Sequence, residues 1–306
     1  MAKRAFAAQP PISLLVLLDP PMENQTLALE TVRNILAAEQ TLRIGQAVAF
    51  GLSFFLFGIV LQDRTKTDAR TDQALRFARL SFLFGTFMAV AGGTLAFISP
   101  SPSTPQIVLL GINLALAFVT LFLDRGPQGM PALSFLTGAL IWLLTVAQPF
   151  VFPHADAGLQ SFWGLAGIHI VTAIGGEALC MISFCASLLY LWDYKRLKSK
   201  HLARRPFIPS LDTLDTLVER TTVIGLFLIT TSLVTGVGLV LWGEGQSVSP
   251  LKVLWAFAVW GWYVLSIFGR GFWGWRGRKG AQLSLWGTAL MIATLFGTLW
   301  SKVDVR

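Results

Sequence analysis

One histidine and one glutamate stand out because they occupy apolar surroundings. His169 lies one to two turns inside an apolar run, in Ser161-Phe162-Trp163-Gly164-Leu165-Ala166-Gly167-Ile168-His169-Ile170. An ionisable group inside a membrane is costly and usually faces a cavity or the interior of a bundle. A neutral imidazole there has two uses. It can ligate an iron, or it can hydrogen-bond to a neighbouring helix. Glu177 follows eight residues later, about 12 Å deeper by helical rise and about 80° around the helix. It is the only acid in the middle of an apolar run. It reads either as a proton or substrate site, or as a protonated side chain bonded to a nearby backbone. Gly164, Gly167, Gly175, Gly176 and Ala178 surround the pair. Small residues of this kind let helices approach closely or leave room for a flat ligand.

Other chemistry-bearing residues are sparse. His154 precedes the run that carries His169, and His201 lies in a basic stretch. These three histidines and two cysteines make no cluster at zinc spacing. Cys180 and Cys185 are five residues apart, so they lie on separate faces of a helix and read as small core residues. Eight of the eleven tryptophans come after residue 241. Trp242 and Trp300 flank one set of span ends and Trp273 and Trp275 the other, as in an aromatic belt. Trp255, Trp260 and Trp262 fall within a span, where they can line a site for an aromatic ligand. No phosphate-binding glycine loop, nucleophile elbow or zinc-protease motif is present.

The elements that must hold these residues follow from composition. The chain of 306 residues is 54% hydrophobic and only 13% charged, with a mean hydropathy of +0.63. A soluble domain is about a quarter charged. Disorder, a coiled coil and an ordinary cytosolic enzyme are thereby excluded. A membrane helix needs about 20 mostly apolar residues. Eight such runs occur: Ile44 to Leu61, Leu80 to Ile98, Ile107 to Leu123, Leu133 to Phe152, Trp163 to Trp192, Val223 to Trp242, Val253 to Phe268 and Leu283 to Leu299. Proline-rich segments such as Ser99 to Pro105 punctuate them, because proline lacks the N–H that a continuing helix needs. Alternation of period two is absent, which excludes a β-barrel.

The net charge of +8 is a topology signal. Alternate loops between the runs hold seventeen Lys and Arg on one side and one, Lys252, on the other. Basic loops stay in the cytoplasm. The fold class expected is therefore all-α, a polytopic bundle of about eight transmembrane helices with both termini outside. The excess charge is no nucleic-acid footprint, and membrane lipid is the main partner. Residues 1–43 form an extramembrane or interfacial segment, with a weak amphipathic pattern from Thr26 to Thr41, and residues 44–302 form the transmembrane domain. Ser210 is placed to N-cap a helix with Asp212 in its first turn. The apolar stripe of Leu211, Leu214, Leu217 and Val218 then reads as a surface helix feeding the sixth span.

The part from Trp163 onward resembles the cytochrome c assembly family of membrane proteins, of the CcsA/CcmC/HemX type. The resemblance rests on Ser161-Phe162-Trp163 with Ile168-His169-Ile170, and on Pro209-Ser210-Leu211-Asp212-Thr213-Leu214-Asp215 with Arg220, Ile224-Gly225 and Thr235-Gly236. It continues through Ser249-Pro250-Leu251-Lys252-Val253-Leu254-Trp255 to Trp260, Arg270 and Gly274-Trp275-Arg276-Gly277-Arg278-Lys279. The tryptophan-rich outer loop of the haem-transferring branch is reduced to Gly243 to Pro250, and a second family histidine falls on Phe268. The pattern is closest to the HemX-like branch.

The resemblance implies a multi-pass protein of the bacterial inner membrane that binds or delivers haem on the outer face. The chain is expected not to be an enzyme. By resemblance His169 is the metal ligand to haem iron, with His154 as a second ligand and Trp255 and Trp260 as pocket walls. Implied partners are haem, cytochrome c biogenesis proteins or a haem-synthesis enzyme. Two other readings stay open: regulation of a haem-synthesis enzyme through the basic loop Lys195 to Arg205, and a transporter working through Glu177.

Overall fold

In a computed structural model, residues 22–62, 69–98, 104–125, 130–151, 164–199, 207–241 and 250–303 are described. Their secondary structure is helical, in eight helices, each overlapping one of the eight apolar runs. They are α1 (Met22–Gln62), α2 (Ala69–Ile98), α3 (Thr104–Asp124), α4 (Pro131–Val151), α5 (Leu165–Lys198), α6 (Leu211–Leu241), α7 (Pro250–Phe272) and α8 (Arg278–Val303). Six helices are long and apolar enough to cross a membrane: α1, α2, α3, α5, α6 and α7. The apolar stretch Pro131–Ala147 of α4 is shorter. The chain is a polytopic helical bundle.

Three helices begin more than ten residues earlier than hydropathy suggests: α1, α2, which starts at Ala69 rather than Leu80, and α6. α1 starts at Met22, well before Ile44, because no proline or glycine lies between Met22 and Gly45 to stop it. Position 43 therefore marks a change of composition inside one continuous helix. α6 likewise runs unbroken from Leu211. The Ser210 cap is present, its Oγ accepting the Thr213 N–H at 3.2 Å. The stripe after it does not lie on the surface, however. Leu214, Leu217 and Val218 are buried in the core against Leu189 and Ala281. The stripe is wide enough to pack against protein, and neighbouring helices take it up before lipid does.

The chain reverses at each helix. Leu61 at the end of α1, Leu123 at the end of α3 and Leu133 at the start of α4 share one cluster with Leu189 of α5, Leu214 of α6 and Ala281 of α8. This is the end that carries the basic loops. An ion pair closes it on one side. Arg79 of α2 donates from Nε to Asp124 at 2.6 Å and from Nη2 at 3.2 Å, and Asp124 also accepts the Met130 N–H at 3.1 Å. The opposite half has its own tie. Gln46 of α1 and Asn113 of α3 both donate to Thr145 Oγ1 of α4, at 3.3 and 3.2 Å. The alternation read from charge is thus built into the packing.

α5 and α6 form the most extensive helix pair. Gly176 makes their approach possible. A Cβ there would lie 2.7 Å from Ile229 Cγ1, 3.1 Å from the Ile229 backbone nitrogen and 3.2 Å from the Gly225 carbonyl. Backbone atoms cannot move aside as a side-chain tip can. Gly176→Val is expected to separate the pair, at a cost above the ~1–3 kcal/mol typical of overpacking. Thermal aggregation in detergent, compared with Gly261→Ala as an open-space control, measures it. Cys180 and Cys185 are buried and unbridged.

Candidate functional site

His169 stands on the fifth residue of α5, in the half of the bundle away from the basic loops. Its position follows from the α5–α6 pairing. The ring lies over Gly236 of α6, where an added Cβ would come 2.8 Å from Cε1 and 3.1 Å from Nδ1. Any larger residue at 236 would occupy the ring's place. The imidazole is half-buried.

The hydrogen bonds fix the tautomer. Nδ1 is 2.8 Å from the backbone carbonyl oxygen of Ser232. A carbonyl only accepts, so Nδ1 must carry the hydrogen. The Ser232 hydroxyl, 3.2 Å from Nδ1, donates to the His169 carbonyl at 3.3 Å. Thr172 Oγ1 donates to the Ile168 carbonyl at 2.7 Å, with the His169 carbonyl a longer second acceptor at 3.2 Å. With Nδ1–H committed, Nε2 keeps its lone pair, and no hydrogen bond to it is made by the described residues. Ligand histidines are commonly prepared this way, one nitrogen held by a backbone carbonyl and the other offered to the metal.

The tryptophans separate into different roles. Trp260 of α7 is half-buried and donates from Nε1 to Thr230 Oγ1 of α6 at 3.0 Å. Its ring stands edge-to-face on Phe257. Trp262 donates to the Leu283 carbonyl of α8 at 2.9 Å and works as a clamp between helices. Trp255 is 36% exposed. It lies five residues from Trp260, so the two point to well-separated faces. No hydrogen bond joins either to His169 among the described residues. All five residues from Leu254 to Ala258 are exposed, whereas Val259, Tyr263, Ser266 and Arg270 are buried. Five consecutive residues cover the whole circumference of a helix. The outer third of α7 therefore stands clear of its neighbours, and its inner part is packed.

The remaining candidates divide in the same way. His154 and His201 lie outside the described residues. Glu177 is partly buried, and no hydrogen bond to its carboxylate comes from the described residues. No group of three or more His, Cys, Asp or Glu able to hold a metal ion occurs among the described residues. Phe268 is exposed near the basic end of α7, with its ring stacked on Phe272 at 5.5 Å. It offers nothing that could replace a histidine.

Sequence reasoning missed one cluster. Arg270, 9% exposed at its side chain, donates from Nη2 to Asp215 at 2.7 Å and from Nη1 to Glu219 at 3.2 Å. Asp215 also accepts the Gly277 N–H at 3.1 Å. Gly277 has φ +63°, a left-handed turn suited to glycine. Asp215, Arg270 and Gly277 all occur in the motifs quoted above, but nothing local shows that they meet. The cluster ties α6, α7 and the start of α8 at the basic end.

A family model described as Cytochrome C assembly protein matches residues 105–303, more than half of the chain. The match takes in α3 to α8 and so begins well before Trp163. No curated protein matches the chain.

Proposed function

Because the chain belongs to the cytochrome c assembly protein family, we propose that it binds or passes haem during cytochrome c maturation, with His169 as the residue that meets the iron. The observation that carries the reading is the Nδ1–H bond from His169 to the Ser232 carbonyl. It holds the imidazole in the tautomer a metal requires and stops the ring from turning about its own axis. The residues therefore fit the group. Haem, when bound, supplies an iron centre that accepts an imidazole nitrogen.

The chain's own side chains do the rest. Gly236 leaves the space the ring fills, and the Ser232 carbonyl orients it. The exposed aromatic residues Trp255 and Phe257 on the free-standing part of α7 supply apolar surface at the same end of the bundle. The half-buried His169 is protected without being closed off. The positive-inside rule puts this end outside the cytoplasm of a bacterial inner membrane. The chain then serves as a binding and delivery protein rather than an enzyme, with cytochrome c biogenesis components as its partners.

The test is a haem titration of purified protein followed by visible absorption. A Soret band that saturates supports the reading, and a protein that stays colourless overturns it. Gly236→Val sharpens the test because it keeps His169 but displaces its ring. It is expected to weaken haem binding at least ten-fold while α-helical content is retained. Unchanged affinity in that variant would show that Gly236 does not set the ring's position.

A further inference from the structure

The Arg270 cluster borders a cavity that the haem reading does not use. The cavity is about 160 Å³ and lies where α6, α7 and α8 meet at the basic end. Buried polar side chains line it: Thr222, Ser266, Ser284 and Arg270. Thr222 and Ser284 are satisfied, since both share hydrogen bonds with Ser183, at 2.8 and 2.7 Å. Ser266 is not. It is 6% exposed and its Oγ has no hydrogen-bond partner. A buried hydroxyl without a partner costs about 1–3 kcal/mol, so an orphan in a cavity wall points to something that fills the cavity.

The charges indicate the sign of that occupant. Arg270 uses two of its five N–H donors on Asp215 and Glu219, which leaves three. Arg276 also lines the cavity, is exposed, and has no carboxylate partner among the described residues. Lys279 is exposed nearby. Asp215 and Glu219, the latter itself in the cavity wall, exceed Arg270 by one charge, but the exposed Arg276, Arg278 and Lys279 beside them make this end of the bundle net positive. The occupant is therefore an anion that accepts several hydrogen bonds, as a phosphate does.

The position of the opening indicates its source. Val223 of α6 is exposed, and Ile267 and Gly271 of α7 complete that wall. Exposed Phe227 and Phe268 continue the apolar surface of the same two helices. A soluble anion has no use for this surface, whereas an acyl chain does. Basic pockets between transmembrane helices at the cytoplasmic end are known to take anionic headgroups. We infer that this cavity seats the phosphate headgroup of an anionic phospholipid of the cytoplasmic leaflet, with the lipid's chains lying on α6 and α7. The inference is independent of the haem reading, since no residue is shared with His169 or its partners.

The experiment is native mass spectrometry of the full chain released from detergent, with phosphatidylglycerol or phosphatidylcholine added. The wild type is expected to retain phosphatidylglycerol at least ten-fold better. Arg276→Gln removes one exposed basic group and is expected to weaken retention about five-fold, from ~1 kcal/mol per basic residue near an anionic surface. Ser266→Leu fills the cavity and is expected to abolish the preference. If Ser266→Leu does not fold, Arg276→Gln decides alone, because an exposed side chain carries no packing. Equal retention of the two lipids overturns the inference, and so does a wild-type preference in Arg276→Gln. Displacement of the lipid by millimolar inorganic phosphate would also overturn it, by showing a site for soluble anions.

Discussion

His169→Ala is expected to abolish the Soret band of the haem-titrated protein. The expectation rests on one atom. Nε2 of His169 is the imidazole nitrogen left without a hydrogen bond when Nδ1 is committed to the Ser232 carbonyl. Alanine removes that lone pair and opens space above Gly236. His169→Gly offers the stricter form of the test. Free imidazole diffusing into the space left by the ring is expected to restore the band in part, because it brings back the ligand without the tether. A residue that merely packed α5 against α6 would give no such rescue. Ser232→Ala, by contrast, is expected to change the spectrum little, because the main orienting acceptor is the backbone carbonyl and not the hydroxyl. A His169→Ala protein with an undiminished band would remove His169 as the ligand. Loss of the band without imidazole rescue in His169→Gly would assign the ring a packing role.

Arg270→Met is the second variant with a large expected effect, here on stability. Removing the guanidinium strands Asp215 and Glu219 beside each other at the end of an apolar bundle. Breaking a buried ion pair costs about 3–5 kcal/mol, because the partner is left charged and unpaired. The lower end applies, since Glu219 is nearly half open to solvent. The consequences extend past the pair. Asp215 also holds the Gly277 N–H, so its displacement loosens the turn that starts α8. Arg270→Lys is expected to recover only part of the loss, because a single ammonium cannot span two carboxylates as a planar guanidinium does. Heating each variant in detergent and measuring the fraction that remains monodisperse ranks them: wild type above lysine, lysine above methionine. Equal survival of all three would show that the cluster does not hold α6, α7 and α8 together.

Both variants act through contacts between residues far apart in sequence, and this marks the limit of what the sequence shows. The eight helices, their alternation and the end of the bundle that bears His169 were all legible. Hydropathy and loop charge are sums over local residues, and a bilayer responds to those sums directly. Helix starts were legible only in part. α1 runs back to Met22 and α6 to Leu211 because no breaker interrupts them, although apolar content begins later. The Leu214, Leu217 and Val218 stripe was visible as a face, but only packing decided that the face meets protein rather than lipid.

The candidate site divides along the same line. That His169 is an unusual residue in a revealing place comes from the chain itself. Its tautomer does not. That is decided by the Ser232 carbonyl, 63 residues away, and by the missing side chain at Gly236. The separation of Trp260, tied to Thr230, from the exposed Trp255 also required the helix contacts. Asp215 and Arg270 are 55 residues apart, and each reads in isolation as an ordinary loop-end charge. The sequence by itself thus determined where the apolar helices lie, because hydropathy is a property of each segment alone. The tertiary structure decided which atoms are free to bind, because a donor or acceptor is free only when every neighbouring helix has declined it.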